Sequence, residues 1–248
     1  MKSAFLDALR LHHAPLAILL TDEKPDPSRQ FKPGNAGCVA AMLLAATKGA
    51  TVAFDRSTYG CAGGGVGLGF GNTYSGFPID RLLSTGGQAD LGSGRMWNMG
   101  IGERFFETPE ITCRWVGAVP FHEIPARYLV AKPLAEVSEG ESPALVWLLV
   151  NPDQMSAVVT QAGFRRGSVE NVVAPWCAAC QSILFAWGEC ERAQPRAVLG
   201  FFDISQRHRV ERETLSLTLP YRLFLELEAG AGESFLQTEA WRKLQARQ

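Results

Sequence analysis

The 248-residue sequence predicts a mixed α/β fold, organised as one unit of two related halves. Apolar, strand-like runs such as Leu16–Thr21 and Ala144–Val150 alternate with helix-forming segments such as Cys38–Lys48. The length suffices to bury a substantial core. In addition, one order of parts occurs twice: a strand, a helix headed by cysteine, and a strand that ends in Phe-Asp.

The composition excludes several classes of partner. Hydrophobic residues make up 46% and charged residues 20% of the chain, as in ordinary globular proteins. A net charge of −1 provides no electrostatic footprint for nucleic acid or anionic lipid. The apolar runs fall short of the roughly 20 residues that a membrane span needs. We therefore expect a cytoplasmic protein without nucleic-acid or membrane partners; an assembly of identical subunits is compatible with the sequence.

The first elements follow from local patterns. Ser3–His13 has apolar residues at helical spacing, and Leu16–Thr21 is a buried strand. The prolines and glycines of Asp22–Gly37 predict a loop. Cys38–Lys48 is almost entirely apolar and predicts a buried helix, and Thr51–Asp55 predicts a short strand.

The segment Ser57–Gly71 is predicted to be a glycine-rich loop around Cys61. It matches neither the dinucleotide-binding fingerprint nor the phosphate-binding P-loop, which need other spacings. Exposed backbone N–H groups in such a loop can hold an anion or bond to the sulfur of a cluster. The glycines expected to contact a cofactor are Gly60, Gly63, Gly64 and Gly65.

The rest of the chain continues the alternation of strands and helices. The predicted elements are strands Ile111–Val119, Arg127–Lys132 and Ala144–Val150, a helix from Asn151 to about Ala162, a helix from Pro175 to about Cys190, strands Ala197–Asp203 and Leu215–Leu219, and a helix from Pro220 to about Glu228.

The repeated order of parts predicts two halves, residues 1–135 and 136–248, within a single domain. Pseudo-twofold packing of these halves would direct two helix N-termini and their cysteines towards one centre. Asp55 and Asp203, which end the two corresponding strands, would then lie nearby and orient the adjoining loops.

Six cysteines in a chain without a secretory signal are expected to be thiols or metal ligands. We predict an iron–sulfur or other metal site at Cys38, Cys61 and Cys180, with Cys177 as candidate fourth ligand, and a 4Fe–4S cluster as the first choice. Three cysteines would leave one iron open to a small-molecule ligand, whereas a simple electron carrier would serve a redox partner.

Two alternatives stay open from the residues alone. The run A-P-W-C-A-A-C at Ala174–Cys180 is similar to the active-site segment of thioredoxin, which would indicate thiol–disulfide exchange through Cys177 and Cys180. Alternatively, all six cysteines are structural and the protein binds a small molecule through Gly63–Gly69.

Several longer motifs resemble a bacterial and archaeal family known as domain of unknown function 169. The resemblance extends from about Cys38 to Phe235. The motifs that carry it are C-V-A-A-M-L-L-A-A-T-K-G (Cys38–Gly49), F-D-R-S-T-Y-G-C-A-G-G-G-V-G-L-G-F (Phe54–Phe70), G-E-R-F (Gly102–Phe105), T-P-E (Thr108–Glu110), L-V-N-P-D-Q (Leu149–Gln154), C-Q-S-I (Cys180–Ile183), G-F-F-D-I-S (Gly200–Ser205) and P-Y (Pro220–Tyr221).

The resemblance implies an intact fold and ranks the cysteines. The family pattern has cysteines at the positions of Cys38, Cys61 and Cys180, and commonly a small residue at that of Cys177. Many members carry a further cysteine where this chain has Tyr59. The resemblance therefore favours a three-cysteine site over thiol exchange.

Overall fold

A seven-stranded sheet with helices on both faces organises the molecule. The computed structural model describes residues 3–91, 94 and 96–247. The strands in this part of the chain are β1 Leu16–Thr21, β2 Val52–Phe54, β3 Gln88–Asp90, β4 Met96–Asn98, β5 Tyr128–Pro133, β6 Leu145–Val150, β7 Val172–Val173, β8 Ala197–Gly200 and β9 Leu215–Pro220. The α-helices are α1 Ala4–Leu9, α2 Val39–Ala46, α3 Ala62–Leu68, α4 Ile79–Leu82, α5 Pro109–Ala118, α6 Pro152–Gly163, α7 Ser182–Cys190, α8 Tyr221–Gly230 and α9 Glu239–Gln245. The predicted mixed α/β class is confirmed.

The strand order in the large sheet is β2-β5-β1-β6-β9-β8-β7. Every neighbouring pair is antiparallel except β7 and β8, which are parallel. At the centre β1 pairs with β6, and Leu16 lies opposite Trp147. Strands β3 and β4 form a separate hairpin. None of the helices within the described ranges is long and apolar enough to cross a membrane.

Alternating side chains of the strands build a core on each face of the sheet. On one face Leu19, Val130 and Val146 pack with α1, α6, α8 and α9. On the other face Ile18 and Trp147 pack with α2, α3 and α7. The helices that begin beside Cys38, Cys61 and Cys180 therefore share one face.

Between α3 and β5 the chain forms a lobe of about fifty residues. Its two ends are joined, because the Gly71 N–H donates to the His122 carbonyl oxygen (2.9 Å) and the Ile124 N–H donates to that of Gly69 (2.8 Å). We call residues 72–121 the lobe; it contains α4, β3, β4 and α5. Its aromatic side chains pack against Trp176, which Trp115 meets edge-on at 5.3 Å between ring centroids.

The strand predicted at Ile111–Val119 is wrong, because this segment forms helix α5. The Thr108 hydroxyl accepts the Ile111 N–H (3.3 Å) and caps the helix, and Pro109 occupies its first turn. Both are typical helix-start signals. The β-branched and aromatic residues after them resembled a strand, but the capping signal decided the conformation.

The predicted glycine-rich loop is also wrong over much of its length, since Ala62–Leu68 is helix α3. The Cys61 sulfur accepts the Gly64 N–H and caps this helix. A Cβ at Gly64 would lie 2.6 Å from the Val39 side chain, and one at Gly65 would lie 2.5 Å from that of Thr73. The glycines therefore allow a helix to pack closely, and tertiary contact outweighs their low helix propensity. Likewise α7 begins at Ser182, so Cys177 lies before the helix.

The strand order is the same in both halves when followed outward from the central pair. It is β1, β5, β2 in the first half and β6, β9, β8 in the second. Each half also has a parallel partner at its outer edge: Arg29 bridges to Val52 of β2, and β7 pairs with β8. The equivalence of the two halves stays a prediction.

Candidate functional site

Three cysteines lie where three helices of one sheet face begin. Cys38 is the N-cap residue of α2, and Cys61 is the N-cap residue of α3. Cys180 immediately precedes Gln181, the N-cap residue of α7. Backbone N–H groups in a first helical turn have no partner within the helix and carry partial positive charge. The three thiols therefore lie at positions that favour negative charge.

Cys38 and Cys61 are held near each other through the glycines that precede them. The Gly37 N–H donates to the Gly60 carbonyl oxygen (3.1 Å). Gly60 has a φ of +82°, and a Cβ there would lie 2.6 Å from the Gly37 oxygen. Only glycine combines this conformation with such a close backbone approach.

The sulfurs of Cys61 and Cys180 contact opposite ends of the peptide group that joins Gly63 and Gly64. The Gly64 N–H donates to the Cys61 sulfur (3.3 Å), and the Cys180 thiol lies 4.0 Å from the Gly63 carbonyl oxygen. One peptide unit links these two contacts, so the sulfurs lie within about 10 Å of each other. A Cβ at Gly67 would lie 3.1 Å from the Cys180 sulfur, so α3 needs glycine where it faces this thiol.

A chain of hydrogen bonds connects Cys38 to Asp203. The Cys38 thiol donates to Gln206 Oε1 (3.3 Å), and Gln206 Nε2 donates to the Ser205 hydroxyl (3.1 Å). That hydroxyl donates to Asp203 Oδ1 (2.7 Å). The loop after β8 thus places an amide and a carboxylate beside the cysteines.

Burial opposes the ionisation of Cys61, Cys177 and Cys180, and for Cys61 and Cys180 it acts against the nearby helix N-termini. Burial raises the pKa of Cys180 well above its ordinary value, and negative charge at Cys61, Cys38, Cys177 and Asp203 raises it further. Protein atoms around the Cys61 thiol raise its pKa by desolvation, although the residue is exposed overall; charge at Cys38 and Asp203 adds to this, against the Gly64 N–H bond. Burial raises the pKa of Cys177 to about 12.

The two predicted aspartates occupy similar turns but different surroundings. Asp55 Oδ1 accepts the Ser57 N–H (2.7 Å), and Asp203 Oδ1 accepts the Ser205 N–H (3.0 Å). Burial tends to raise the pKa of Asp55, yet hydrogen bonds led by those from Ser57 lower it overall. Asp203 is 7% exposed and is the aspartate whose charge acts on the thiols.

The lobe brings a second carboxylate to Asp203. Burial raises the pKa of Glu103, and the negative charge of Asp203 raises it further. Arg104, which follows Glu103, and Phe201, two residues before Asp203, have φ values of +56° and +69°. Left-handed backbone is rare for such residues and concentrates at functional sites.

The structure therefore places Cys38, Cys61 and Cys180 on one face of the sheet, with the charges of Cys38, Cys61 and Asp203 acting on Cys180. Gly60, Gly63 and Gly64 lie in the contacts between the cysteine segments. Gly65 instead packs on Thr73, and Asp55 bonds within its own turn and to Gln30. Among the described residues, no three His, Cys, Asp or Glu side chains are gathered closely enough to form a metal-binding group in this structure.

A cavity of about 1,700 Å³ lies elsewhere, lined by residues such as Thr21, Arg29 and Ala45. None of the glycines at 60, 63, 64 and 65 lines it. The glycines of α3 serve close packing rather than the wall of this cavity.

The family model DUF169, described as an uncharacterised ArCR family, matches residues 4–230. The chain belongs to this family. The DUF169 region includes all the cysteines named above and ends at the last residue of α8, before α9. No curated protein and no solved structure matches the chain.

Sequence reasoning missed Gln206 and Glu103 as residues of this site, and also Gln181, whose side-chain amide donates to the Gly63 carbonyl oxygen (3.1 Å) and to the Tyr74 hydroxyl (2.5 Å). Gln181 and Glu103 lie in the segments C-Q-S-I and G-E-R-F, on which the sequence-based resemblance to the family rested, and that was the available signal. Gln206 meets Cys38 across 168 residues of sequence, and no local pattern indicates such a contact.

Proposed function

We propose that this DUF169 protein is a cytoplasmic metalloprotein in which Cys38, Cys61 and Cys180 hold an iron–sulfur cluster, with 4Fe–4S as the first choice. Its work would be redox or small-molecule chemistry. The observation that carries the proposal is the convergence of these three thiols at the first turns of three helices on one sheet face.

The donor set suits this group. Iron–sulfur clusters are held by cysteine thiolates and are tuned by hydrogen bonds to sulfur. The Gly64 N–H already bonds to the Cys61 sulfur. The first turns of α2 and α7 have no side-chain cap, so their N–H groups are available to stabilise added negative charge.

Polar residues near the cysteines would bind the small molecule or the redox partner of such a centre. When bound with three cysteines, the cluster supplies an iron with an open position or a one-electron couple. The Gln206 amide contacts Cys38 and is linked through Ser205 to the Asp203 carboxylate, and both polar groups could bond to a small molecule. Glu103 of the lobe adds a carboxyl group whose raised pKa favours the protonated form more than usual.

Thiol exchange through Cys177 and Cys180 receives less support. A nucleophilic cysteine needs a lowered pKa and an accessible sulfur. Cys177 is fully buried and its pKa is raised to about 12. A metal ion, in contrast, displaces the proton itself and binds the thiolate.

The test is the metal and acid-labile sulfide content of protein purified without oxygen, together with its visible spectrum. We expect iron, sulfide and broad absorption in the wild type, and loss of all three in Cys38→Ala, Cys61→Ala and Cys180→Ala. Cys190→Ala is the matched control, because Cys190 ends α7 and faces the core. Equal metal content in all these variants contradicts the proposal.

Cys177→Ala separates a three-cysteine from a four-cysteine site. Cys177 acts on the pKa of Cys180, whereas Cys38 acts on the pKa of Cys61, and both Cys38 and Cys61 act on that of Cys180. We therefore propose Cys177 as a buried neighbour of the site and expect its alanine variant to retain the metal. Loss of iron in this variant would make Cys177 the fourth ligand.

A further inference from the structure

The buried side-chain amide of Gln181 connects the segment around Cys180, the segment around Cys61 and the lobe. Gln181 has no exposed surface. Its Oε1 accepts the Ala178 N–H (3.0 Å), and its Nε2 donates to the Gly63 carbonyl oxygen (3.1 Å) and to the Tyr74 hydroxyl (2.5 Å). Both N–H groups of the amide and its oxygen thus have partners, as buried polar groups require.

The three bonds end on three separate segments. Ala178 belongs to the turn between Cys177 and Cys180, Gly63 lies in the first turn of α3, and Tyr74 belongs to the lobe. Gln181 directly follows Cys180, and Gly63 lies two residues after Cys61. The bond from Gln181 to Gly63 therefore fixes the position of one cysteine relative to the other.

Position 181 requires a neutral side chain that has two hydrogen-bond donors and one acceptor. Glutamate keeps the acceptor for Ala178 but loses both donors, and a hydrocarbon side chain loses all three bonds. Glycine at position 63 also matters little for space, since a Cβ there would lie 3.8 Å from Gln181 Nε2 and from the Tyr74 hydroxyl. The amide, rather than the glycine, is the specific part of this junction.

We propose that Gln181 is a positioning residue that sets the separation of Cys61 and Cys180 for metal binding and ties the lobe to that pair. The inference rests on the proposed metal site and assigns to it a residue that touches no metal. Outer residues that orient ligands typically contribute 10- to 100-fold to metal affinity. Tyr74 is the residue of the lobe to which Gln181 donates.

The first experiment compares Gln181→Met with Gln161→Met. Gln161 is 3% exposed and donates to the Leu227 carbonyl oxygen on the opposite face of the sheet, so the same chemical change there is a matched control. Co²⁺ is titrated into reduced, metal-free protein, and thiolate-to-cobalt absorption reports binding. We expect affinity to fall about 10- to 100-fold in Gln181→Met and to stay unchanged in Gln161→Met. Equal affinity in Gln181→Met and wild type overturns the inference.

A second measurement needs no metal. Amide hydrogen exchange of the peptide covering residues 59–68 reports how firmly the first turn of α3 is held. We expect faster exchange there in metal-free Gln181→Met and not in Gln161→Met, with Tyr74→Phe affecting the lobe more than this peptide. Unchanged exchange in Gln181→Met overturns the inference as well.

The two measurements also separate this inference from the proposed function. If the wild type holds neither iron and sulfide nor Co²⁺ through its cysteines, the metal site is wrong, and the exchange data alone decide whether Gln181 positions the two segments. If alanine variants of Cys61 and Cys180 abolish cobalt absorption while Gln181→Met preserves it, the metal site stands and the positioning role of Gln181 falls.

Discussion

Asp203 and Asp55 make nearly the same local contacts, yet only one of them acts on the thiols. Each accepts the N–H and the hydroxyl of a serine two residues further along the chain. Asp203 raises the pKa of Cys61, Cys177 and Cys180, whereas the hydrogen bonds of Asp55 stay with Gln30, Ser57 and Thr58. The difference arises from tertiary position and not from the local turn.

This contrast predicts the effect of removing each charge. In metal-free protein, Asp203→Asn eliminates one of the negative charges that raise the pKa of Cys61. The thiolate fraction should increase, and alkylation of Cys61 by iodoacetamide at pH 8 should become faster. Peptide mass spectrometry measures the rate. Asp55→Asn is the matched control, and an equal acceleration in both variants would show that Asp203 has no specific effect.

At the scale of elements, alanine substitutions of two adjacent glycines in α3 should change the free energy of unfolding in opposite directions. A Cβ at Gly64 would lie 2.6 Å from the Val39 side chain and 2.7 Å from the Tyr59 carbonyl oxygen, so Gly64→Ala should lower the free energy of unfolding by about 1–3 kcal/mol. Gly63 has only ordinary contacts at 3.8 Å, and alanine there should stabilise the helix by roughly 0.5–1 kcal/mol.

Urea denaturation of both variants measures these changes. The paired substitution is its own control, because residue type and helix are the same and only the space around the Cβ differs. If the Gly64→Ala variant is as stable as the Gly63→Ala variant, α3 can move away from Val39 without loss of stability, and the prediction is wrong.

The elements that the sequence predicts well are those with a clear local pattern. β1 has the predicted bounds, and β6 and β9 differ from prediction by one residue, because their apolar runs end at proline or polar residues. The helix α3 could not be predicted, since its glycines form a helix only through close packing with Val39, Thr73 and α7.

The site was predictable in its cysteines but not in its connections. Cys38 before an apolar helix and Cys61 in a glycine-rich segment carry a local signal, and the repeated order of parts predicted that Cys38 lies near Cys177 or Cys180. Gln181 reaches Gly63 across 118 residues, and the use of its amide depends on how α7 approaches α3. Such a contact follows from tertiary packing and leaves no periodic pattern in the sequence.

At the scale of the whole molecule, the central pairing of β1 with β6 predicts that the halves depend on each other. Leu16, Ile18, Leu145 and Trp147 have no exposed surface and lie along this junction. Separation would expose them and create two unpaired strand edges.

We therefore expect residues 1–135 and 136–248, expressed separately, to lack a cooperative urea transition and fixed near-ultraviolet circular dichroism. Co-expression of the two fragments should restore both signals in one complex. A fragment that unfolds cooperatively by itself would show two domains where we predict a single one.

The paired ends of the lobe have an evolutionary consequence. Because the chain leaves at Gly71 and returns at His122 through adjacent hydrogen bonds, the sheet is insensitive to how many residues lie between. Each doubling of a flexible loop costs only about 0.6 kcal/mol in closure entropy. Insertions in exposed turns of residues 72–121 should therefore be tolerated during descent, and relatives can acquire a differently shaped lobe while the scaffold that presents the cysteines stays the same.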